Sequence, residues 1–229
     1  METRETSRGD FASPLWATSL RVENPWAGSP VFVRERTSST MDDARGLALN
    51  GCREGTVVVA GFQERGRGRA PGRSWHSPPW RSLMATVVLD ASALGFPVAL
   101  LPLRAAMGVC LAIEEHGVRP LIKWPNDLLV GGRKIAGILC ETCGSSALVG
   151  FGVNCTQKRF PEDLAAGACS ILQASGTEVN PLSLLPRVLA RMKEALGDER
   201  WREKLLGRLA SRDDLIRVKG AGASETTRA

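Results

Sequence analysis

The chain has 229 residues, 43% of them hydrophobic, with a formal net charge of +6 at pH 7. That length is enough for one large domain, or one domain plus a small appendage, around a real apolar core, so a soluble globular protein is expected. No run of about 18 apolar residues occurs and the opening METRETSRGD lacks the charged-then-apolar plan of a signal peptide, which excludes a membrane-spanning or secreted class and makes the cytoplasm the expected location.

Residues 1–30 carry Pro14, Pro25 and Pro30 without sustained periodicity and read as an extended, partly ordered leader. At Val31 the pattern tightens. VFVRER is strand-like, and Ser38, Ser39 and Thr40 offer N-caps to MDDARGLALN, with Asp42 and Asp43 in the first turn and Gly51 as a stop. TVVVAGF (56–62) is a β-branched strand, and SLMATVVLD (82–90) is a second. The Gly/Arg segment between them is too long for a simple hairpin turn. From Pro97 to about Gly117 the chain is apolar almost all round, as in a buried helix.

LIKWP, DLLV, RKIAGILCE and ALVGFGVN, separated by Gly131-Gly132 and Gly144, read as a meander of short antiparallel strands. Beyond Pro161 the segments LAAGA, PLSLLPRVLARMKEALG and ERWREKLLGRLA look helical, and residues 213–229 read as a frayed tail. The fold class expected is α+β, one mixed or antiparallel sheet with helices against one face.

Cys140 and Cys143 form a C-x-x-C with no second Cys or His pair at zinc spacing, so buried thiols are the simpler reading of most of the six cysteines. His76 and His116 have no partners at catalytic spacing and read as structural or surface residues. Lysine usage is more informative. Of 30 basic residues six are lysine, and Lys123 and Lys134 are the only two before position 158. A chain that otherwise uses arginine for surface charge retains a compact ammonium at these two places.

Two segments carry candidate chemistry. Gly66-Arg67-Gly68-Arg69-Ala70-Pro71-Gly72-Arg73-Ser74-Trp75 combines glycines that let backbone N–H groups approach an anion with arginines that bind phosphate or carboxylate bidentately. A solvated turn or an RNA-binding segment is the competing reading. Lys123-Trp124-Pro125-Asn126-Asp127 precedes Arg133-Lys134-Ile135-Ala136-Gly137 across the Gly-Gly turn, so the two lysines are expected on neighbouring strands, converging on one anion that relieves their repulsion.

The ordered set G-R-G-R-x-x-G-R-x-W, K-W-P-N-D, R-K-x-A-G-I-L and G-x-G-V-N (Gly150 to Asn154), with S-S-T at 38–40 and Gln63, resembles the catalytic domain of biotin–protein ligases over about residues 31–210. That resemblance implies the class II aminoacyl-tRNA synthetase-like fold, a catalytic domain at 31–212, biotin as substrate, and ATP with Mg²⁺. Ser39, Thr40, Met41, Gln63 and Gly137 are implied to line the biotin pocket. Arg67, Gly68 and Arg69 would close over the biotin carboxylate and adenylate phosphate. Lys134 would bind the activated carboxyl and Lys123 the phosphates, while Asn126 and Asp127 place nucleotide and Mg²⁺, and Trp75 and Asn154 sit near the adenine. Lys123, Lys134 and Arg69 are the implied catalytic groups.

The implied partner is a biotin carboxyl carrier protein or carrier domain, with no DNA and no membrane, and a weak homodimer is left open. Three departures stand out. Met41 replaces the frequent Asn, Ala70-Pro71 lengthens the loop by one residue, and neither an N-terminal DNA-binding domain nor the usual C-terminal β-barrel is expected in the segments outside 31–212. Competing readings are a lipoate or octanoate ligase of the same fold, which resembles R-R-x-x-G-G-G-x-V-x-H-D instead, and a non-catalytic biotin-binding protein.

Overall fold

The sheet is assembled from chain-local pieces whose burial follows their sequence pattern. The computed structural model describes residues 18–70 and 72–210, and by backbone alone the strands at 216–220 and 223–227. Strands β1 (Thr18–Ser19) and β2 (Val31–Thr37) lead into helix α1 (Thr40–Leu49), followed by β3 (Val57–Gln63), β4 (Ser82–Asp90) and helix α2 (Leu101–Glu114). Then come β5 (Leu121–Lys123), β6 (Asp127–Val130), β7 (Arg133–Cys143) and β8 (Ser146–Asn154), and helices α3 (Glu162–Ala165), α4 (Ile171–Ser175), α5 (Pro181–Gly197) and α6 (Trp201–Leu206).

The eight strands order as β1-β2-β3-β4-β8-β7-β6-β5. Only β2 and β3 pair in parallel, because helix α1 connects them as a crossover. β5 through β8 form the antiparallel meander read in the sequence.

Strand periodicity sorts the core into two layers. Val57, Val59, Leu83, Ala85, Val87, Val149 and Val153 face α2 and α5, while Phe32, Val58, Val88 and Leu148 face Met41, Ala44 and Leu47 of α1. The mixed sheet is as expected, but α1 lies across the opposite face from α2 and α5. With apolar layers on both sides, β4 and β8 are apolar in near-continuous runs instead of alternating.

Helix α5 presents Leu184, Leu185, Val188, Leu189, Met192 and Ala195 to the core at helical spacing. Its start is capped by Asn180, which accepts the Leu182 N–H at 2.8 Å. α2 approaches it at Gly108, where a Cβ would stand 2.4 Å from the Met192 Cα.

Both boundaries differ from the sequence reading. Residues 18–30 of the expected leader belong to the fold: Thr18 and Ser19 pair antiparallel with β2, and Trp26 is buried in the core. The remainder of that leader lies outside the described residues. Within the expected tail, Ile216–Gly220 and Ala223–Thr227 pair as antiparallel strands β9 and β10. No helix among the described residues is long and apolar enough to cross a membrane.

Candidate active site

The pocket lies on the α1 face of the sheet. Its wall begins where β2 hands over to α1: Ser39 accepts the Met41 N–H at 3.3 Å as N-cap, so the helix opens with Thr40 and Met41 pointing at the sheet. Thr40 donates to Gln63 Oε1 through its backbone N–H at 2.8 Å and its hydroxyl at 3.0 Å, and accepts from Thr86 Oγ1 at 2.9 Å. Among the described residues Gln63 Nε2 meets only the Met84 thioether, at 3.5 Å. A thioether is a weak acceptor, so one strong donor is held ready on the pocket wall.

The floor is glycine. A Cβ on Gly152 would stand 2.6 Å from the Trp75 ring, one on Gly150 2.8 Å from Met41 Sδ, and one on Gly137 3.0 Å from Lys134 Nζ. Strand glycines mark close approach by another group, and here three of them accept an indole, a thioether and a lysine. Gly150 and Gly152 were legible as a G-x-G in β8, yet their part as floor follows only from what covers them.

The Gly/Arg segment folds over that floor as a small hairpin. Gly68 N–H bonds Arg73 O at 2.8 Å and Trp75 N–H bonds Gly66 O at 2.9 Å. Arg67 is tied down by Asp42 at 2.7 Å and lies 3.8 Å from Glu141, which also binds Arg45 at 2.5 Å. The Glu141 hydrogen bond raises the Arg45 guanidinium above the usual arginine range. Arg69 and Arg73 are exposed and form no ion pair among the described residues. His76, also exposed, shares a 2.6 Å hydrogen bond with Ser74 and takes the structural place read for it.

Eleven of the fourteen residues singled out in the sequence line this one pocket: Ser39, Thr40, Met41, Gln63, Arg67, Gly68, Arg69, Trp75, Asn126, Lys134 and Gly137, the other three being Lys123, Asp127 and Asn154. Ala85, Ile138, Leu139, Gly150, Phe151 and Gly152 complete the lining. The three outside it are placed differently from the expectation. Lys123 and Lys134 are not on neighbouring strands, because β6 lies between β5 and β7; the register pairs Lys123 with Asp127 and Asp127 with Gly137.

Lys134 therefore meets a carboxylate, not a second ammonium: its Nζ is 2.6 Å from Asp127 Oδ1 and 5.7 Å from the Trp75 ring centre. Asn154 lies beneath the pocket and spends its amide there, donating to Cys169 O at 2.9 Å and Lys134 O at 3.4 Å while accepting from Ser82 and Gln157. It holds the Lys134 backbone in place and presents no free edge to an adenine.

Asp127, with one oxygen on Lys134, does not form a protein cage for a divalent cation, and no group of three or more His, Cys, Asp or Glu among the described residues does. The C-x-x-C cannot chelate either. Cys143 packs in the α1-side layer and Cys140 in the α2-side layer, as residues three apart on a strand must. All six thiols are free, and burial pushes those of Cys110, Cys140 and Cys155 up to about 12.

Fold and site together define a mixed-sheet domain with a small-molecule pocket roofed by an Arg/Gly hairpin and served by a carboxylate-paired lysine. The chain belongs to the biotin/lipoate A/B protein ligase family, whose profile matches residues 33–157. It is 35% identical over 170 residues to the bifunctional ligase/repressor BirA of Bacillus subtilis, covering 71% of this chain and 52% of that protein. The chain thus spans about half the length of that relative. It is 36% identical over 178 residues to the biotin–[acetyl-CoA-carboxylase] ligase of Paracoccus denitrificans, covering 70% of this chain and 72% of that one. Among solved structures it is similar to the biotin protein ligase of Aquifex aeolicus in complex with biotin and ATP, with a TM-score of 0.74, 25% identity, and coverage of 86% and 85%.

Proposed function

We propose that this chain, over a catalytic domain that includes 31–212, is an ATP-dependent biotin–protein ligase that forms biotinyl-5'-AMP and transfers biotin to a lysine of a biotin carboxyl carrier protein. The observation that carries this reading is the convergence of motif residues from six separate segments on one pocket. The ureido group of biotin offers one carbonyl acceptor and two N–H donors. Gln63 Nε2 and the Ser39 O–H supply donors to the carbonyl, since Gln63 Oε1 is already engaged by Thr40. Met41 and Leu139 give the bicyclic ring an apolar side wall.

The biotin carboxylate, neutralised by Lys134, attacks the α-phosphorus of ATP. A carboxyl O–P bond forms as the bond to the bridging oxygen breaks, and pyrophosphate leaves. Arg69, the Lys134 ammonium and hairpin amides offset charge developing on the phosphoryl oxygens; one such preorganised donor is typically worth about 3 to 4 kcal/mol. The neutral amine of the carrier lysine then attacks the acyl carbon, the C–N bond forms, AMP leaves and a proton passes to solvent. A roof of hairpin and Trp75 excludes water from the mixed anhydride between the two steps. Magnesium bound with the triphosphate would offset its negative charge, and Asp127, beside Lys134, is the carboxylate that would help to hold it.

The test is exchange of labelled pyrophosphate into ATP with biotin, lipoate or octanoate as the acid. Exchange with biotin alone is expected. Exchange with lipoate or octanoate instead would assign the chain to the other acyl substrates of its family, and biotin binding without exchange would make it a binding protein.

A further inference from the structure

Arg67 carries a guanidinium in the middle of the pocket roof, yet that group faces two carboxylates of the protein itself. Asp42, in the first turn of α1, holds it at 2.7 Å, and Glu141 of β7 lies 3.8 Å from its other terminal nitrogen. Glu141 is in turn fixed by Arg45 of α1 at 2.5 Å. These four residues chain the hairpin to both the helix and the strand that flank the pocket. A guanidinium engaged in this way has little left for a ligand anion. Arg69, two residues on, has no ion pair among the described residues and faces no such competition.

We propose that Asp42 and Glu141 are positioning residues that latch the Gly/Arg hairpin closed through Arg67, leaving Arg69 as the arginine that meets the ligand's charge. The latch spans three otherwise separate elements, so its release frees the hairpin without unfolding the sheet. Half-exposed ion pairs are individually weak and screened by salt. A latch built from them opens often enough to admit a ligand and closes without a large energetic cost. Only its effect on the bound ligand rests on the ligase reading; the hairpin's opening does not.

Amide hydrogen exchange reads the opening directly at the Gly68 and Trp75 N–H groups, which close the hairpin. Asp42→Asn and Glu141→Gln are each expected to speed their exchange about two- to fivefold, the range of a single exposed ion pair, and the double variant about tenfold. High salt should accelerate the same amides in the wild-type chain and much less in the double variant, and Asp42→Glu should restore protection. Because Asp42 also sits at the helix N-terminus, the α1 amides serve as control. Unchanged hairpin amides, or equal acceleration in α1 and hairpin, overturns the latch. In the same samples biotin dissociation should quicken in parallel with exchange. A wild-type chain that does not bind biotin sinks the ligase reading while the exchange result still decides the latch.

Discussion

Lys134 and Asp127 stand on adjacent strands with Nζ and Oδ1 2.6 Å apart, one lining the pocket and the other just outside it. The pair explains how an ammonium rests beside the Trp75 ring without a ligand, and it separates two roles for Asp127. Lys134→Ala should lower biotin-dependent pyrophosphate exchange by about 100-fold or more, the effect of one lost transition-state donor. Asp127→Asn, if the carboxylate only orients Lys134, should cost about two- to fivefold, as for a half-exposed ion pair. A loss in Asp127→Asn as large as that in Lys134→Ala would mean that Asp127 acts on the nucleotide or its magnesium.

Gly152→Ala would put a methyl 2.6 Å from the Trp75 ring. The ring, being a side chain and not sheet backbone, is what gives way. Biotin affinity should fall at least about tenfold, roughly 1.4 kcal/mol, with little change in the urea midpoint. Titration calorimetry beside equilibrium unfolding separates the two effects, and unaltered affinity would show that Trp75 need not rest on the floor.

Gly108 and Gly46 make an opposed pair. A Cβ at Gly108 meets the Met192 backbone at 2.4 Å, which cannot swing aside, whereas one at Gly46 meets nothing within 4 Å. Alanine is favoured over glycine in a helix by about 1 kcal/mol. Gly46→Ala should therefore stabilise by that order. In Gly108→Ala, overpacking of α2 against α5 outweighs the propensity gain, for a net loss of about 1 to 2 kcal/mol. Urea unfolding of both variants checks the signs.

Alkaline pH should destabilise the protein through its buried thiols. Cys110 and Cys155 are fully buried and their thiols are pushed up to about 12, so the folded state keeps them neutral. Unfolded thiols ionise from about pH 8.5. The stabilisation from this term is complete below that value and is lost as pH rises toward 12, by about 1.4 kcal/mol per pH unit for each thiol. The sequence contains no tyrosine, which removes the other common source of such a slope. Stability followed from pH 9 to 11 should fall less steeply in Cys155→Ala than in the wild-type chain; equal slopes would refute the assignment.

Ser39 before Met41-Asp42-Asp43, the β-branched run at 56–62, the Gly-Gly turn and the G-R-G-R and K-W-P-N-D strings are local features, and local features were enough to reveal strands β2 to β8, the first helix and the family. Capping, β-propensity and turn chemistry act within a few residues, so one dimension carries them. What no stretch of sequence displays is which side of a sheet a crossover takes or which charges meet across it. Tertiary structure put α1 on the pocket face and α2 and α5 on the other, inserted β6 between Lys123 and Lys134, and gave Lys134 the Asp127 carboxylate instead of a second ammonium. It also turned Arg67 toward Asp42 and Glu141, residues 25 and 74 positions away in the chain at numbers 42 and 141. An ion pair depends on distance in space, and the Arg/Gly segment that drew attention as a string of equivalent cations becomes, once folded, one arginine held by carboxylates and two, Arg69 and Arg73, without an ion pair among the described residues.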